Sequence, residues 1–228
     1  MIKATYINHM GCDMSVVNAA RVSFGKKIDR MYTKPEDEKL IHYLAKHKHM
    51  SPFGHCFASF HVKAPIFVAR QLVKHKFLRW NEISRRYVDK DTEYYLPKTW
   101  RGRAKDKKQG SEGVVDLSSI LDTEHNTAIL GSGTLEGHVI EISEWLRETY
   151  KLLLDKGVCP EQARMVLPQS TMTEWYWSGS LDAFADMCNL RCAFDTQAET
   201  RFVATQISDR MRRLFPVSWA SLVDKNYE

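Results

Sequence analysis

A proline in the first third of the chain separates two hydrophobic periods. From residue 57 to 63 apolar and polar residues alternate, so that Phe60 and Val62 fall on one face of an extended segment. Pro65 then opens IFVARQLVKHK, where apolar residues recur at helical spacing. Proline suits the first turn of a helix, because the N–H that it lacks has no helical partner there. A strand that leads directly into a helix indicates a mixed α+β fold.

The other periodic segments add more helix than strand. A short strand is predicted from Lys3 to Asn8, and Asp13 is predicted to cap the helix that follows. The later predictions are a helix from Pro35 to Lys46, a long helix from Leu135 that stops near Gly157, a strand or turn within 170–177, and two or three helices from Leu181 onward. We therefore predict one helix-rich α+β domain over residues 1–228, with a small antiparallel sheet.

Residues 98–133 differ from the rest of the chain in composition. They are rich in charge and glycine and poor in large apolar groups, except around residues 114–121. Such a segment buries little apolar surface. We predict a partly mobile surface excursion from the domain.

The overall composition limits the location and the partners of the protein. The chain is 43% hydrophobic and 27% charged, which is typical of a soluble globular protein. No stretch approaches the ~18 apolar residues of a membrane span, and the first residues lack the apolar part of a secretory signal. We expect a cytoplasmic location, no membrane partner and, from five scattered cysteines, free thiols. A net charge of +5 favours anionic partners, either phosphorylated small molecules or nucleic acid.

Residues 42–61 contain five histidines and Cys56, which are good zinc ligands by type. The segment has no HExxH, no paired CxxC and no aspartate or glutamate. We therefore expect no metal, and interpret a single histidine here as a positioned polar group.

The helix predicted after Pro65 leads into residues 74–87, KHKFLRWNEISRRY. On that helix Gln71, Lys74 and His75 lie three and four residues apart, so they are predicted to share a face. The chain has neither GxxxxGK[ST] nor GxGxxG. A bound nucleotide must therefore be held by side chains and helix ends.

Several functions are compatible with this basic stretch. Its cations interleave with Trp80, as in proteins that bind single-stranded nucleic acid, and a solvated helix face is a further alternative. Glu82 argues against nucleic acid, because a carboxylate repels phosphates and better suits a ribose hydroxyl or a base edge. A serine hydrolase is disfavoured, because no GxSxG is present.

The stretch resembles the signature of flavin-dependent thymidylate synthases: Arg-His-Arg, seven residues, then Ser-x-Arg, with Asn-Glu before the serine and Tyr after the arginine. The residues in register are His75, Asn81, Glu82, Ser84, Arg86 and Tyr87, while lysines replace the first two arginines. Further segments similar to the family occur in the same order: AARVSF, HMSPFGH, FHVKAPIFVARQ, ARMVLP and NLR.

The resemblance implies an enzyme that converts dUMP to dTMP. Methylenetetrahydrofolate would donate the one-carbon unit, and NADPH would reduce the FAD cofactor that supplies the hydride. It also implies the helix-rich α+β fold of that family and a homotetramer whose active sites form where subunits meet. No nucleic-acid partner is expected.

The resemblance also assigns residues. Those expected around dUMP are Gln71, Lys74, Glu82, Ser84, Arg85, Arg86, Arg164 and Arg191. Those expected to contact FAD are His49, Ser51, Lys74, His75, Lys76 and Glu82. Arg191 is the expected catalytic residue, because a fixed cation beside the pyrimidine stabilises its ionised, more nucleophilic form. None of the five cysteines lies in the matched dUMP segments, which agrees with a mechanism without a thiol nucleophile.

The sequence departs from the family pattern at several positions. Lys74 and Lys76 replace arginines, Asp195 stands where many members have a histidine, and Ser180 stands where asparagine is common. Lysine is a point charge, whereas arginine is a planar fork of donors. The departures leave open a flavin-dependent pyrimidine nucleotide hydroxymethylase, or a flavoprotein without synthase activity.

Overall fold

The computed structural model describes residues 1–89, 92–105, 110–118 and 133–223. Its strands are β1 Lys3–Met10, β2 Phe57–Pro65, β3 Leu78–Glu82, β4 Trp100–Arg103, β5 Ser111–Val115 and β6 Met172–Ser180. Its helices are α1 Asp13–Arg21, α2 Pro35–Lys46, α3 Ile66–Leu72, α4 Leu135–Asp155, α5 Pro160–Ala163, α6 Leu181–Arg191, α7 Ala198–Leu214 and α8 Pro216–Leu222. The predicted helix-rich α+β class is confirmed.

The chain divides into two compact units. The first contains Met1–Ala64, Val68–Glu82 and Glu174–Glu228, and the second contains Pro65–Phe67 and Ile83–Thr173. The single domain over 1–228 stays a prediction.

The first unit contains a sheet of four strands in the order β1-β2-β6-β3. β1 pairs antiparallel with β2, and β3 pairs antiparallel with β6, so that Trp80 lies opposite Trp177. One face is apolar: Phe60, Val62 and Trp177 are at most 1% exposed. On alternate residues the strands carry polar groups, and the hydroxyls of Ser59 and Ser178 lie 2.8 Å apart. The alternation predicted from residue 57 to 63 is confirmed.

The sequence predicted that Asp13 caps α1, and this prediction is wrong. The N-cap of α1 is Cys12, and Asp13 is the first helical residue. Its carboxylate instead accepts hydrogen bonds from the backbone N–H groups of Val217 (3.0 Å) and Ser218 (2.9 Å), in the first turn of α8. Those N–H groups have no partner within their own helix, and a negative charge is favourable at a helix N-terminus.

The helix after Pro65 is shorter than predicted. Pro65 belongs to β2, and α3 ends at Leu72, so the prediction that Gln71, Lys74 and His75 share a helical face is wrong. The backbone turns sharply after α3, with Phe77 at a φ of 62°, before β3 begins. Gly179 opposes this bend in β6, where a Cβ would clash with Leu78 and lie 3.0 Å from the Phe77 carbonyl oxygen. Lys74 and His75 therefore lie in the turn between α3 and β3.

The second unit contains the long helix α4, which confirms the helix predicted from Leu135. Thr134 caps it by accepting a hydrogen bond from the Gly137 N–H at 3.1 Å, and Gly157 follows its end with a φ of 84°. Two described parts of the predicted excursion form the antiparallel pair β4–β5, and every residue of β5 is exposed. Residues 106–109 and 119–132 lie outside the described residues, so the extent of the excursion stays a prediction. No helix in the described part of the chain is long and apolar enough to span a membrane.

Candidate active site

Arg191 and His75 form the centre of the candidate site in the first unit. Arg191 is the last residue of α6, and its Nε donates a hydrogen bond to Nε2 of His75 at 3.0 Å. A terminal nitrogen of the same guanidinium donates to the carbonyl oxygen of Gln71 at 3.4 Å. That carbonyl is at the C-terminal end of α3, where carbonyl groups have no helical partner and attract cations. Two acceptors thus fix the orientation of the guanidinium.

His75 is neutral near pH 7. Burial, and then the charge of Arg191, lower its pKa to about 4. Because Nε2 accepts a hydrogen bond, the single ring proton is at Nδ1. Burial also lowers the pKa of Arg191, but a guanidinium stays charged in proteins. The Arg191–His75 pair therefore has one positive charge, and about three of the five guanidinium N–H groups remain for a ligand.

Two residues at the start of α7 form hydrogen bonds with the side-chain amide of Gln71. The Thr200 hydroxyl donates to Oε1 of Gln71 at 3.1 Å, and Nε2 of Gln71 donates to Oε1 of Gln197. Neither Gln197 nor Thr200 was predicted from the sequence. They lie 126 and 129 positions from Gln71, and no local pattern marks such a contact.

The other site residues predicted in this unit are exposed. Lys74 and Lys76 lie in the turn between α3 and β3, and Glu82 ends β3, where its carboxylate accepts a hydrogen bond from Nε1 of Trp80 at 3.1 Å. His49 and Ser51 lie in the segment between α2 and β2.

These exposed groups have the chemistry that FAD requires. The dinucleotide has a pyrophosphate, which suits two ammonium groups and a hydroxyl. It also has aromatic rings, and the His49 ring already lies 6.1 Å, edge to face, from the exposed ring of Tyr43. The predicted FAD residues of this unit therefore fit the group, and their individual contacts stay predictions.

A second group of predicted residues lies in the second unit. Ser84 begins a turn, in which the N–H groups of Tyr87 and Val88 both donate to its carbonyl oxygen at 3.0 Å and the Arg86 N–H donates to its hydroxyl at 3.3 Å. A guanidinium nitrogen of Arg85 donates to the Met172 carbonyl oxygen at 3.5 Å.

Glu161, which the sequence analysis missed, links two of the predicted arginines. Its carboxylate lies 3.7 Å from the guanidinium of Arg86, and its carbonyl oxygen accepts a hydrogen bond from Nε of Arg164 at 3.4 Å. All three side chains are exposed. The unit thus presents two solvent-accessible guanidinium groups that are held near one another, an arrangement suited to a phosphate.

The five thiols have no assigned part in these groups. All five cysteines lie within the described residues and are free. Burial raises the pKa of Cys56 to about 12, so it is not a thiolate at neutral pH. Within the described ranges, no three His, Cys, Asp or Glu residues lie close enough to hold a metal ion.

An α+β fold with a fixed cation beside an oriented amide, and with exposed basic turns, is typical of a protein that binds an anionic, hydrogen-bonding ligand such as a nucleotide. The sequence model of the family described as "Thymidylate synthase complementing protein" matches residues 5–217. The chain belongs to this family.

Its relatives include proteins named flavin-dependent thymidylate synthase. It is 40% identical to the flavin-dependent thymidylate synthase of Thermus thermophilus, over 94% of this chain and 73% of that protein. It is 39% identical to that of Kosmotoga olearia, over 96% and 88% of the two chains. Among solved structures, it is similar to the UMP/dUMP methylase PolB from Streptomyces cacaoi bound with 5-Br dUMP, with a TM-score of 0.79, 29% identity, and coverage of 97% of this chain and 94% of that chain.

Proposed function

We infer that this protein is a flavin-dependent thymidylate synthase, a transferase that methylates dUMP to dTMP. It would use methylenetetrahydrofolate as one-carbon donor, FAD as cofactor and NADPH as reductant. The relatives that bear this name and the dUMP-analogue complex of the structural neighbour support the activity and the substrate. The observation that carries the proposal for the site is the Arg191 guanidinium, held in one orientation by a neutral His75.

Arg191 would activate the pyrimidine. For C5 of uracil to attack the methylene carbon, electron density must increase in the ring, and negative charge develops on N3 and the carbonyl oxygens. A cation that is already oriented stabilises this charge without reorganisation during the reaction. Burial strengthens the interaction, because less water screens the charge.

His75 would keep that cation available. A protonated imidazole would repel the guanidinium and would no longer offer Nε2 as an acceptor. Its lowered pKa therefore preserves both the charge and the orientation of Arg191 at neutral pH. Gln71, whose carbonyl oxygen accepts from the same guanidinium, would add its amide as a hydrogen-bonding partner of dUMP.

We propose that Ser84, Arg86 and Arg164 contribute the phosphate contacts of dUMP. The Ser84 turn, with Arg86 and Arg164, provides a hydroxyl and two guanidinium groups for charge-assisted hydrogen bonds. Arg85, Lys74 and Glu82 keep their predicted roles around dUMP as proposals.

FAD, when bound, would supply the hydride that completes the methyl group. The chain's own contribution is to hold it: Lys74, Lys76 and Ser51 would bind the phosphates, while His49, His75 and Glu82 would orient the rest.

The homotetramer, the folate and nicotinamide co-substrates, and the cytoplasmic location are proposals as well. An assembly is supported by large apolar side chains that remain exposed on α6, on α7 and on the segment between them: Leu190 is 56% exposed, Phe194 77% and Phe202 53%. The relatives give no support to a nucleic-acid binding module or a hydroxymethylase.

One experiment tests the function. The purified chain should show flavin absorption in the visible range and form dTMP from dUMP only when methylenetetrahydrofolate, NADPH and FAD are all present. Mass spectrometry of the product separates methylation from hydroxymethylation. A colourless protein that forms no dTMP, and instead shifts an oligonucleotide in a salt-dependent manner, would overturn the proposal in favour of the binding module.

A further inference from the structure

The amide of Gln71 is held at both ends by residues that no assigned role includes. Thr200, which is fully buried, donates its hydroxyl to Oε1, and Gln197 accepts a hydrogen bond from Nε2. Thr200 lies in the first turn of α7, and Gln197 is the N-cap residue of that helix. The two bonds therefore tie the orientation of the amide to the start of one helix.

This orientation matters for a ligand. An amide has two N–H donors and two acceptor lone pairs. One N–H and one lone pair are used by Gln197 and Thr200, which leaves one donor and one acceptor in fixed positions. Gln71 is also the residue whose backbone carbonyl oxygen accepts a hydrogen bond from Arg191. The neutral uracil ring, as it binds before any activation, presents the matching pair: the N3–H next to a carbonyl oxygen. If the amide turned over, its donor and acceptor would exchange places and oppose those of the ring.

We propose that Thr200 is a positioning residue for dUMP, which acts by holding the Gln71 amide in the orientation that pairs with the pyrimidine. Gln197 assists from the other end of the amide. The inference rests on the proposed function, because it requires dUMP to bind against Gln71.

The matched variants are Thr200→Val, which keeps the shape and removes the hydroxyl, and Thr200→Ser, which keeps the hydroxyl. A net hydrogen bond of about 1 kcal/mol corresponds to roughly a 5-fold effect, so the KM and the calorimetric Kd for dUMP should rise ~3- to 10-fold in the valine variant. The kcat should change less, and the serine variant should stay near wild type. Gln197→Met, measured in the same way, should raise the KM for dUMP and provides a second variant if Thr200→Val does not fold.

A double-mutant cycle separates positioning from general packing. If Thr200 acts through Gln71, the valine substitution should add little to the loss already caused by Gln71→Ala. Full additivity, or a dUMP affinity unchanged in both Thr200→Val and Gln197→Met, would overturn the proposal.

An NMR measurement tests the orientation of the Gln71 amide without relying on the proposed enzyme activity. The side-chain NH₂ signals of Gln71 should show slow exchange in the wild type and fast exchange in Thr200→Val, with or without turnover. If the wild type binds dUMP but forms no dTMP, only the proposed synthase activity fails. If the wild type does not bind dUMP, both fail.

Discussion

Arg191 donates from Nε to Nε2 of His75 at 3.0 Å, across 116 positions of sequence. The family resemblance assigns the histidine to the flavin and the arginine to the uracil ring. The hydrogen bond joins these two assignments, because the acceptor for the proposed catalytic cation is itself an expected flavin contact. A change at His75 is therefore expected to affect both the binding of the flavin and the orientation of Arg191.

The first prediction concerns the charge of Arg191. Arg191→Ala should stay folded and bind FAD, while dTMP formation falls ~100-fold or more, because one charge contact of the transition state is lost. Turnover at saturating dUMP measures this. Arg191→Lys is the matched control and should recover part of the rate, since lysine restores the charge but not the planar fork. A near wild-type rate in the alanine variant would remove Arg191 from the mechanism.

The second prediction follows from the pKa of His75. The folded-state pKa of about 4 lies below the ordinary value, near 6.5. As the pH falls from ~6.5 to ~4, the unfolded chain therefore binds a proton that the folded chain does not, and the folded state loses stability over this window. Above ~6.5 the His75 contribution is constant. Urea unfolding midpoints across this range measure the effect.

His75→Gln is the control for that prediction, because glutamine keeps an acceptor for Arg191 and does not titrate. Its unfolding midpoint should fall less steeply over the same pH window. An NMR titration that placed the wild-type His75 pKa near 6.5 would contradict the buried, neutral imidazole.

The third prediction concerns the two lysines that replace family arginines. Lys74 and Lys76 are exposed, so a larger guanidinium has room at either position. The double variant Lys74→Arg, Lys76→Arg should therefore bind FAD at least as tightly as the wild type in a fluorescence titration. The matched Lys74→Ala, Lys76→Ala variant should bind more weakly. A tenfold loss in the arginine variant would mean that the pocket is built around lysine.

The fourth prediction concerns stability far from the site. Asp13→Ala removes both acceptors at the N-terminus of α8 and should lower the free energy of unfolding by ~1–2 kcal/mol. The melting temperature should fall by about 2–4 °C for each kcal/mol. Asp13→Asn keeps one acceptor and should lose less. Equal melting temperatures for alanine variant and wild type would rule out this long-range cap.

The fifth prediction concerns the thiols. Each cysteine replaced singly by serine or alanine should leave dTMP formation measurable in every variant that folds. Cys192 is the most stringent case, because it follows Arg191 directly. Burial raises the pKa of Cys56 to about 12 and also raises that of Cys188, so neither is expected to be a thiolate at neutral pH. Complete loss in a folded variant that still binds dUMP and flavin would indicate a thiol nucleophile.

Much of the fold follows from local features of the sequence. The change of period at Pro65, the helix from Pro35 to Lys46 and the helix from Leu135 were all predicted and are present. Hydrophobic periodicity and capping act over a few residues, so a linear sequence records them directly. The end of α3 was missed, because the left-handed backbone at Phe77 falls on a residue type that gives no turn signal.

The sequence alone determined the family, through a signature whose residues lie in register, and with it the residue types available for chemistry. Only the tertiary structure decided how these residues pair. It placed His75 against Arg191, Thr200 against Gln71, Glu161 against Arg86, and Asp13 at the start of α8. Each of these contacts joins elements that are far apart in sequence. Which side chains become partners depends on which helix ends and turns come together when the apolar faces are buried. A local sequence pattern does not record contacts between residues so far apart in the chain.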